Sequence, residues 1–148
     1  MALNQRNLTS IVSVKLLPKD DITSMPDLNL AKTETTGAVT TGGTWIEIDF
    51  TIHSAVYKEK FNKGRGFGTW QIELNGKHVE QERFTIDDLN KRYIMDIEDA
   101  NGTRLLVGTD QEPIELRMEQ DSGQPSSGRF ATLVIGAELS RRPPIYNP

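Results

Sequence analysis

Between Trp45 and Ile52 the chain reads WIEIDFTI, and Ile46, Ile48, Phe50 and Ile52 alternate with Glu47, Asp49 and Thr51. A period of two fits a β-strand, whose successive side chains point to opposite faces; it does not fit a helix, whose apolar residues recur every three or four positions. The alternation predicts a half-buried strand over residues 45–56, with Ile46 to Ile52 facing a core. Other short apolar or β-branched runs read the same way: IVSVKLL at 11–17, FGTWQIEL at 67–74, IELRM at 114–118 and FATLVI at 130–135. The first of these stops at Pro18, with the turn cluster Lys19-Asp20-Asp21 behind it. Only FTIDDLNKR, residues 84–92, reads as a helix, and a short one. Thr85 is placed to cap it, with Asp87 and Asp88 near its positive end. The expected fold is therefore all-β, an antiparallel β-sandwich or barrel with one short helix and extended loops and arms.

Two Asn-Gly pairs, Asn75-Gly76 and Asn101-Gly102, mark hairpin tips, since this dipeptide favours the two-residue type I′ turn. For the second hairpin, a two-residue turn sets Asp99 opposite Arg104, Ile97 opposite Leu106 and Met95 opposite Gly108. Tyr93, Met95, Ile97 and Leu106 then share one face, while Asp96 and Glu98 project from the other beside Leu105 and Val107. That mixed second face predicts a covering layer, either from the same chain or from another subunit. Read instead as a calcium loop with Gly102 at position six, the stretch puts Ile97 at position one and Gly108 at position twelve, so both essential ligands fail.

The 148 residues suit a single β-domain, 1–148, with 36% hydrophobic content and mixed charge. Seventeen basic against 21 acidic residues give a net charge of -4, which argues against a non-specific nucleic-acid binder. With no cysteine in the sequence, disulfides, thiol nucleophiles and thiolate zinc sites are ruled out. The N-terminus MALNQRNLTS has no basic start followed by an apolar run, and no segment approaches the about 18 apolar residues of a membrane span. The expected location is the cytoplasm in which the chain is made, or a larger particle that leaves it.

Residues 31–44, AKTETTGAVTTGGT, are rich in Thr and Gly and predict a flexible segment, either a loop or an arm that orders against a neighbour. Residues 141–148, RRPPIYNP, predict an extended C-terminal tail, because three prolines forbid a helix.

Catalytic patterns are sparse. The run Gly64-Arg65-Gly66-Phe67-Gly68 leads into a strand at Thr69-Trp70, not into the helix a phosphate loop requires, so it reads as a connection. His53 and His78 are the only histidines and fall in no triad or metal spacing. Asp87 and Asp88 read as charge on a solvated turn. Trp45, Tyr57, Phe67, Trp70 and Tyr93 would make either an aromatic binding platform or, more simply, core. Lys58, Lys60, Lys63 and Arg65 form a basic cluster beside the glycine run. No catalytic, cofactor or metal residue is expected.

The hairpin RYIMDIEDANGTRLLVGT, then Pro113-Ile-Glu-Leu, the Gly/Ser loop from Asp121-Ser-Gly, and a closing strand followed by Pro-Pro-Ile-Tyr resemble small virion proteins of tailed phages and prophages of Bacteroides-type bacteria. The likeness spans the last two thirds of the chain. It implies a tail-tube, neck or connector subunit, a β-sandwich or barrel that assembles into homo-oligomeric rings with copies of itself and with other virion proteins. DNA would be met only as passing cargo. On this reading the subunit contacts come from the arm (Thr35, Thr36, Val39, Thr40, Thr44), the glycine loop (Arg65, Phe67), the mixed hairpin face (Leu105, Val107) and the tail (Pro143, Pro144, Tyr146). The alternatives are a monomeric carbohydrate- or protein-binding β-sandwich module that uses Trp45 and Trp70, and a hydrolase resting on His53 or His78 with Asp87 or Asp88.

Overall fold

A computed structural model of the chain describes residues 10–48, 50, 55–63, 68–79, 90–120 and 130–148. In chain order the strands are β1 (Ile11–Pro18), β2 (Ile22–Ser24), β3 (Asp27–Asn29), β4 (Glu34–Thr36), β5 (Thr40–Thr41), β6 (Ile46–Glu47), β7 (Val56–Asn62), β8 (Thr69–Val79), β9 (Arg92–Asp99), β10 (Arg104–Val107), β11 (Ile114–Gln120), β12 (Phe130–Leu139) and β13 (Ile145–Asn147). A 3-10 turn, Lys19–Asp21, follows β1 directly. The fold is all-β and sandwich-like. One large mixed sheet runs β3-β4-β13-β10-β9-β11-β12-β8-β7, β1 and β6 branch from β9, and β2 with β5 forms a small second sheet.

The branch at β9 turns one sheet into two layers. Tyr93 pairs with Pro18 of β1 on one side and with Ile114 of β11 on the other. Beyond it, Met95 to Glu98 pair with β10. Since a strand has only two edges, β10 and β11 share the edge opposite β1, and the chain turns a corner between them. Gly108, at φ +86°, sits at that corner, where an added Cβ would meet the Glu112 carbonyl at 3.3 Å. The main core fills the space between the layers, with Val14, Leu16, Tyr93, Met95, Ile97, Leu105 and Val107 from one side and Ile72, Leu74, Leu116, Leu133 and Ile135 from the other.

The reverse face of β1, β9 and β10 is buried as well. Leu17, Ile94 and Leu106 pack there against Val39 and Tyr146, flanked by Ile22, Met25 and Trp45. This explains why β9 is buried at Tyr93, Ile94, Met95, Asp96 and Ile97 in succession: a strand covered on both faces loses its alternation.

Several expectations need correction. Among the described residues the alternating segment is not one continuous strand: Ile46–Glu47 pairs with β1 and Val56 opens β7, and Ile46 is exposed, Ile48 buried and Phe50 half-buried. A longer strand follows at Val56–Asn62, where the sequence reading placed none. Asn75-Gly76 is no hairpin tip. β8 runs straight through it, with Gly76 opposite Leu133. The Phe50 ring lies where a Gly76 side chain would be, 2.3 Å from the position of a Cβ, so this glycine admits a close ring instead of a turn.

Asn101-Gly102 does lie at a hairpin tip, but the register is displaced by one residue. Leu105 pairs with Ile97 and Val107 with Met95, so Leu105 and Val107 face the main core and not the mixed outer face. The loop has three residues. Gly102 N donates to Asp99 O at 3.1 Å, Asp99 N donates to Thr103 O at 3.0 Å, and Gly102 is at φ +83° while Asn101 is not in the left-handed region. A type I′ turn needs positive φ at both central residues; a type I turn closed by a left-handed glycine needs it only at the last. Asp99 favours the longer loop, since its Oδ1 accepts from Asn101 N at 3.0 Å and Thr103 N at 2.8 Å. The helix expected over residues 84–92 lies almost wholly outside the described residues, and Arg92 opens β9.

Candidate functional site

The arm and the tail, both expected to reach for a neighbour, are fastened to each other and to the protomer. β13 runs parallel to β4, with Tyr146 beside Thr35 and Asn147 beside Thr36. Ile145 N donates to Thr33 O and Gly37 N to Asn147 O. Thr35, Val39, Pro143 and Tyr146 are buried, Pro144 is half-buried, and Thr36, Thr40 and Thr44 are exposed. Arg65 and Phe67 lie outside the described residues.

A polar node closes this covering layer. Arg104 Nε donates to Asp96 Oδ1 at 3.2 Å and Arg104 Nη2 donates to Asp96 Oδ2, a bidentate pair with Asp96 almost wholly buried. Arg104 was expected to meet Asp99; the one-residue shift sends it diagonally to Asp96 instead. The Arg104 guanidinium also lies over the Tyr146 ring at 5.0 Å, a cation-π contact. Val39 N donates to Tyr146 Oη at 3.1 Å, so one tyrosine ties the tail, the arm and the hairpin together. Hydrogen bonding to Asp96 raises the pKa of Arg104, against the opposing effect of burial. No pattern in the sequence joins residues 39, 96, 104 and 146, so this node was not found there.

Among the described residues the expected aromatics Trp45, Tyr57, Trp70 and Tyr93 do not form a platform. Tyr93 is buried in the main core, Tyr57 and Trp70 pack against it, and Trp45 belongs to the reverse cluster. Arg142 covers Trp70 at 5.3 Å and its Nε donates to Glu59 Oε2 at 3.2 Å. Phe61 leans on Trp70 at 5.2 Å. His78 stands in β8 opposite Ala131, while His53, Asp87 and Asp88 lie outside the described residues. Among the described residues no three His, Asp or Glu gather in a metal-holding arrangement, and no helix is long and apolar enough to cross a membrane.

What remains accessible is the outer sheet face and the strand edges. A groove of about 610 Å³ runs over β8, β11 and β12, with Gln71, Glu73, Glu115, Arg117 and Glu138 around Gly136. Among the described residues no aromatic side chain lines it, so they offer no stacking surface for a sugar ring.

The edges carry the apolar exposure. β3 and β7 end the sheet, each with one strand neighbour among the described residues, and β6 ends the branch. The large apolar residues exposed are Leu28 in β3, Leu30 just after it, Ile46 in β6, Val56 and Phe61 in β7, and Val12 in β1. Leu30 is 64% and Phe61 51% accessible. The signal for β7 was present in VYKEKFN: Tyr57, Glu59 and Phe61 alternate with Lys58 and Lys60, but the intervening charges masked the strand. Comparisons with protein-family models, curated proteins and solved structures found no match to the chain.

Proposed function

We propose that this protein is a structural subunit that assembles with copies of itself through its strand edges, as a tail or neck component of a tailed-phage or prophage virion would. One observation carries the reading: the exposed large apolar residues concentrate on strands that end the sheet, where one edge has no strand partner among the described residues. Apolar side chains at an open strand edge template association. Anchoring of the arm and tail to the protomer through Thr35, Val39 and Tyr146 supports a building block of fixed geometry. The virion setting rests on the resemblance of the last two thirds of the chain to phage structural proteins.

Light scattering across a concentration series, followed by electron microscopy, tests the proposal. Concentration-dependent growth to a discrete ring or stack is expected. A monomer at every concentration would overturn it.

The groove on the β8–β11–β12 face favours a second reading, a protein-binding module that recognises a basic segment through Glu73, Glu115 and Glu138. That reading predicts a monomer whose stability rises with a lysine- or arginine-rich peptide.

A further inference from the structure

We propose that the assembling contact is head to tail, with the β7 edge of one copy pairing antiparallel to the β3 edge of the next. This rests on the self-assembly reading above and names the junction that would carry it. The two edges have matching composition. β7 presents Lys58 and Lys60 on the outer face and Phe61 on the inner, since Lys58 pairs with Glu73 and Lys60 with Gln71, while Phe61 pairs with Trp70. β3 carries Asp27 and Asn29 in the row that continues through Glu34 to Ile145, and Leu28 in the opposite row, beside the buried Thr35. One edge is cationic with an aromatic residue, the other anionic with a leucine.

Facing residues in an antiparallel pair share a side of the sheet. A register that sets Asp27 opposite Lys60 therefore sets Asn29 opposite Lys58, with Glu34 one strand further in the same row. Leu28 then stands opposite Glu59, which Arg142 already holds, and diagonal to Phe61, within reach of a long side chain. The pairing brings together an Asp–Lys contact, the Leu28–Phe61 diagonal and backbone groups that have no strand partner among the described residues.

The symmetric alternative offers no opposite-charge pair in any register, because one row of β7 holds Val56, Lys58, Lys60 and Asn62 and the other Tyr57, Glu59 and Phe61. A two-fold axis that joins two β7 edges in one sheet must keep outer residues on the outer face. Its charge-bearing register about Glu59 puts Lys58 opposite Lys60 and Lys60 opposite Lys58, two like-charge contacts at the centre of a seven-residue strand. Lysine on an edge strand guards against its own kind and leaves an anionic edge as the fitting partner. A heterologous contact of this type repeats from copy to copy, so it closes into a ring or runs on as a filament.

Charge reversal tests the junction in the full-length chain. Asp27→Lys alone and the pair Lys58→Glu, Lys60→Glu alone are each expected to raise the concentration needed for assembly about tenfold or more, because attractive contacts become repulsive. All three changes in one chain restore assembly, and so does mixing the two defective variants, since each then offers the edge the other lacks. All of these positions are exposed, and unchanged circular dichroism and melting temperature verify the fold. Wild-type protein that assembles while Asp27→Lys assembles equally well would overturn the junction and leave self-assembly standing. Wild-type protein that remains monomeric removes the premise itself.

Discussion

Arg104 on β10 reaches diagonally across the hairpin to grip Asp96 on β9 with two hydrogen bonds, although Glu98 is its direct cross-strand neighbour. Asp96 sits among Ile94, Leu106 and the tail, where an unpaired carboxylate would be costly. The arginine keeps 29% of its side-chain area in solvent, so the pair is half a buried ion pair and half a surface one. Replacing Asp96 with Ala is expected to cost about 1–3 kcal/mol in urea unfolding, and adding Arg104→Met should recover part of that loss. Additive losses in the double-mutant cycle would mean the two side chains do not cooperate.

The direction of the Arg104 shift sets the pH behaviour of this pair. A base whose folded pKa is raised adds stability at pH values below its unfolded pKa and loses it only as pH rises through the folded value. Both lie far above the neutral range, the folded value above the ordinary one for arginine. The coupling energy measured by the cycle should stay flat from neutral pH to about pH 10. A decline within that window would point to a different partner for Arg104.

Tyr146 should separate packing from hydrogen bonding. Tyr146→Phe keeps the ring under Arg104 but leaves the Val39 N–H without its acceptor, at a cost of about 1–3 kcal/mol. Tyr146→Ala also opens a cavity against Leu17, Ile94 and Leu106, for a loss of about 3–5 kcal/mol. Hydrogen exchange at Val39 should speed up in both variants. Unchanged exchange in the phenylalanine variant would remove the tyrosine hydroxyl from the latch.

Removing residues 31–43 should unfold the protomer and not merely abolish assembly. Val39 lies in that segment, and Thr35 accompanies β13. Their loss would bare the reverse face of β9 to water at about 25 cal/mol per Å² of apolar area. A cooperative melt near the wild-type temperature would show that the arm is dispensable for folding.

The two Asn-Gly glycines should respond differently to alanine. At Gly102 the cost comes from forcing a side chain into the left-handed region, about 1–2 kcal/mol, with open space around the new methyl group. At Gly76 the backbone is ordinary and the cost is collision with Phe50, about 1–3 kcal/mol. Phe50→Leu should therefore relieve Gly76→Ala and leave Gly102→Ala unaffected. Equal rescue of both, or of neither, would contradict the ring-over-glycine packing.

How much was legible in advance varies with the range of the interaction. The runs at Ile11–Pro18, Thr69–Val79, Ile114–Gln120 and Phe130–Leu139 announced themselves through β-branched and apolar content bounded by turn residues. These signals are local, as is the one that placed a hairpin tip at Asn101-Gly102. The Asp99 side chain decided how many residues the turn takes, and that one-residue difference moved Leu105 and Val107 from the outer face into the core. The Thr/Gly arm carried too little apolar content to predict burial, because a single Val39 and a single Tyr146 anchor it from opposite ends of the sequence.

The sequence by itself therefore determined an all-β chain, the positions of β1, β8, β9, β10, β11 and β12 and the hairpin tip at Asn101-Gly102, since each depends on side-chain periodicity and turn chemistry within a few residues. Only the tertiary structure decided which residues each face of that hairpin presents and what covers them, which glycine turns and which lies flat under a ring, and which strands end the sheet. Those outcomes depend on contacts between residues far apart in the chain, and no local pattern records which partner each strand edge or apolar face will meet.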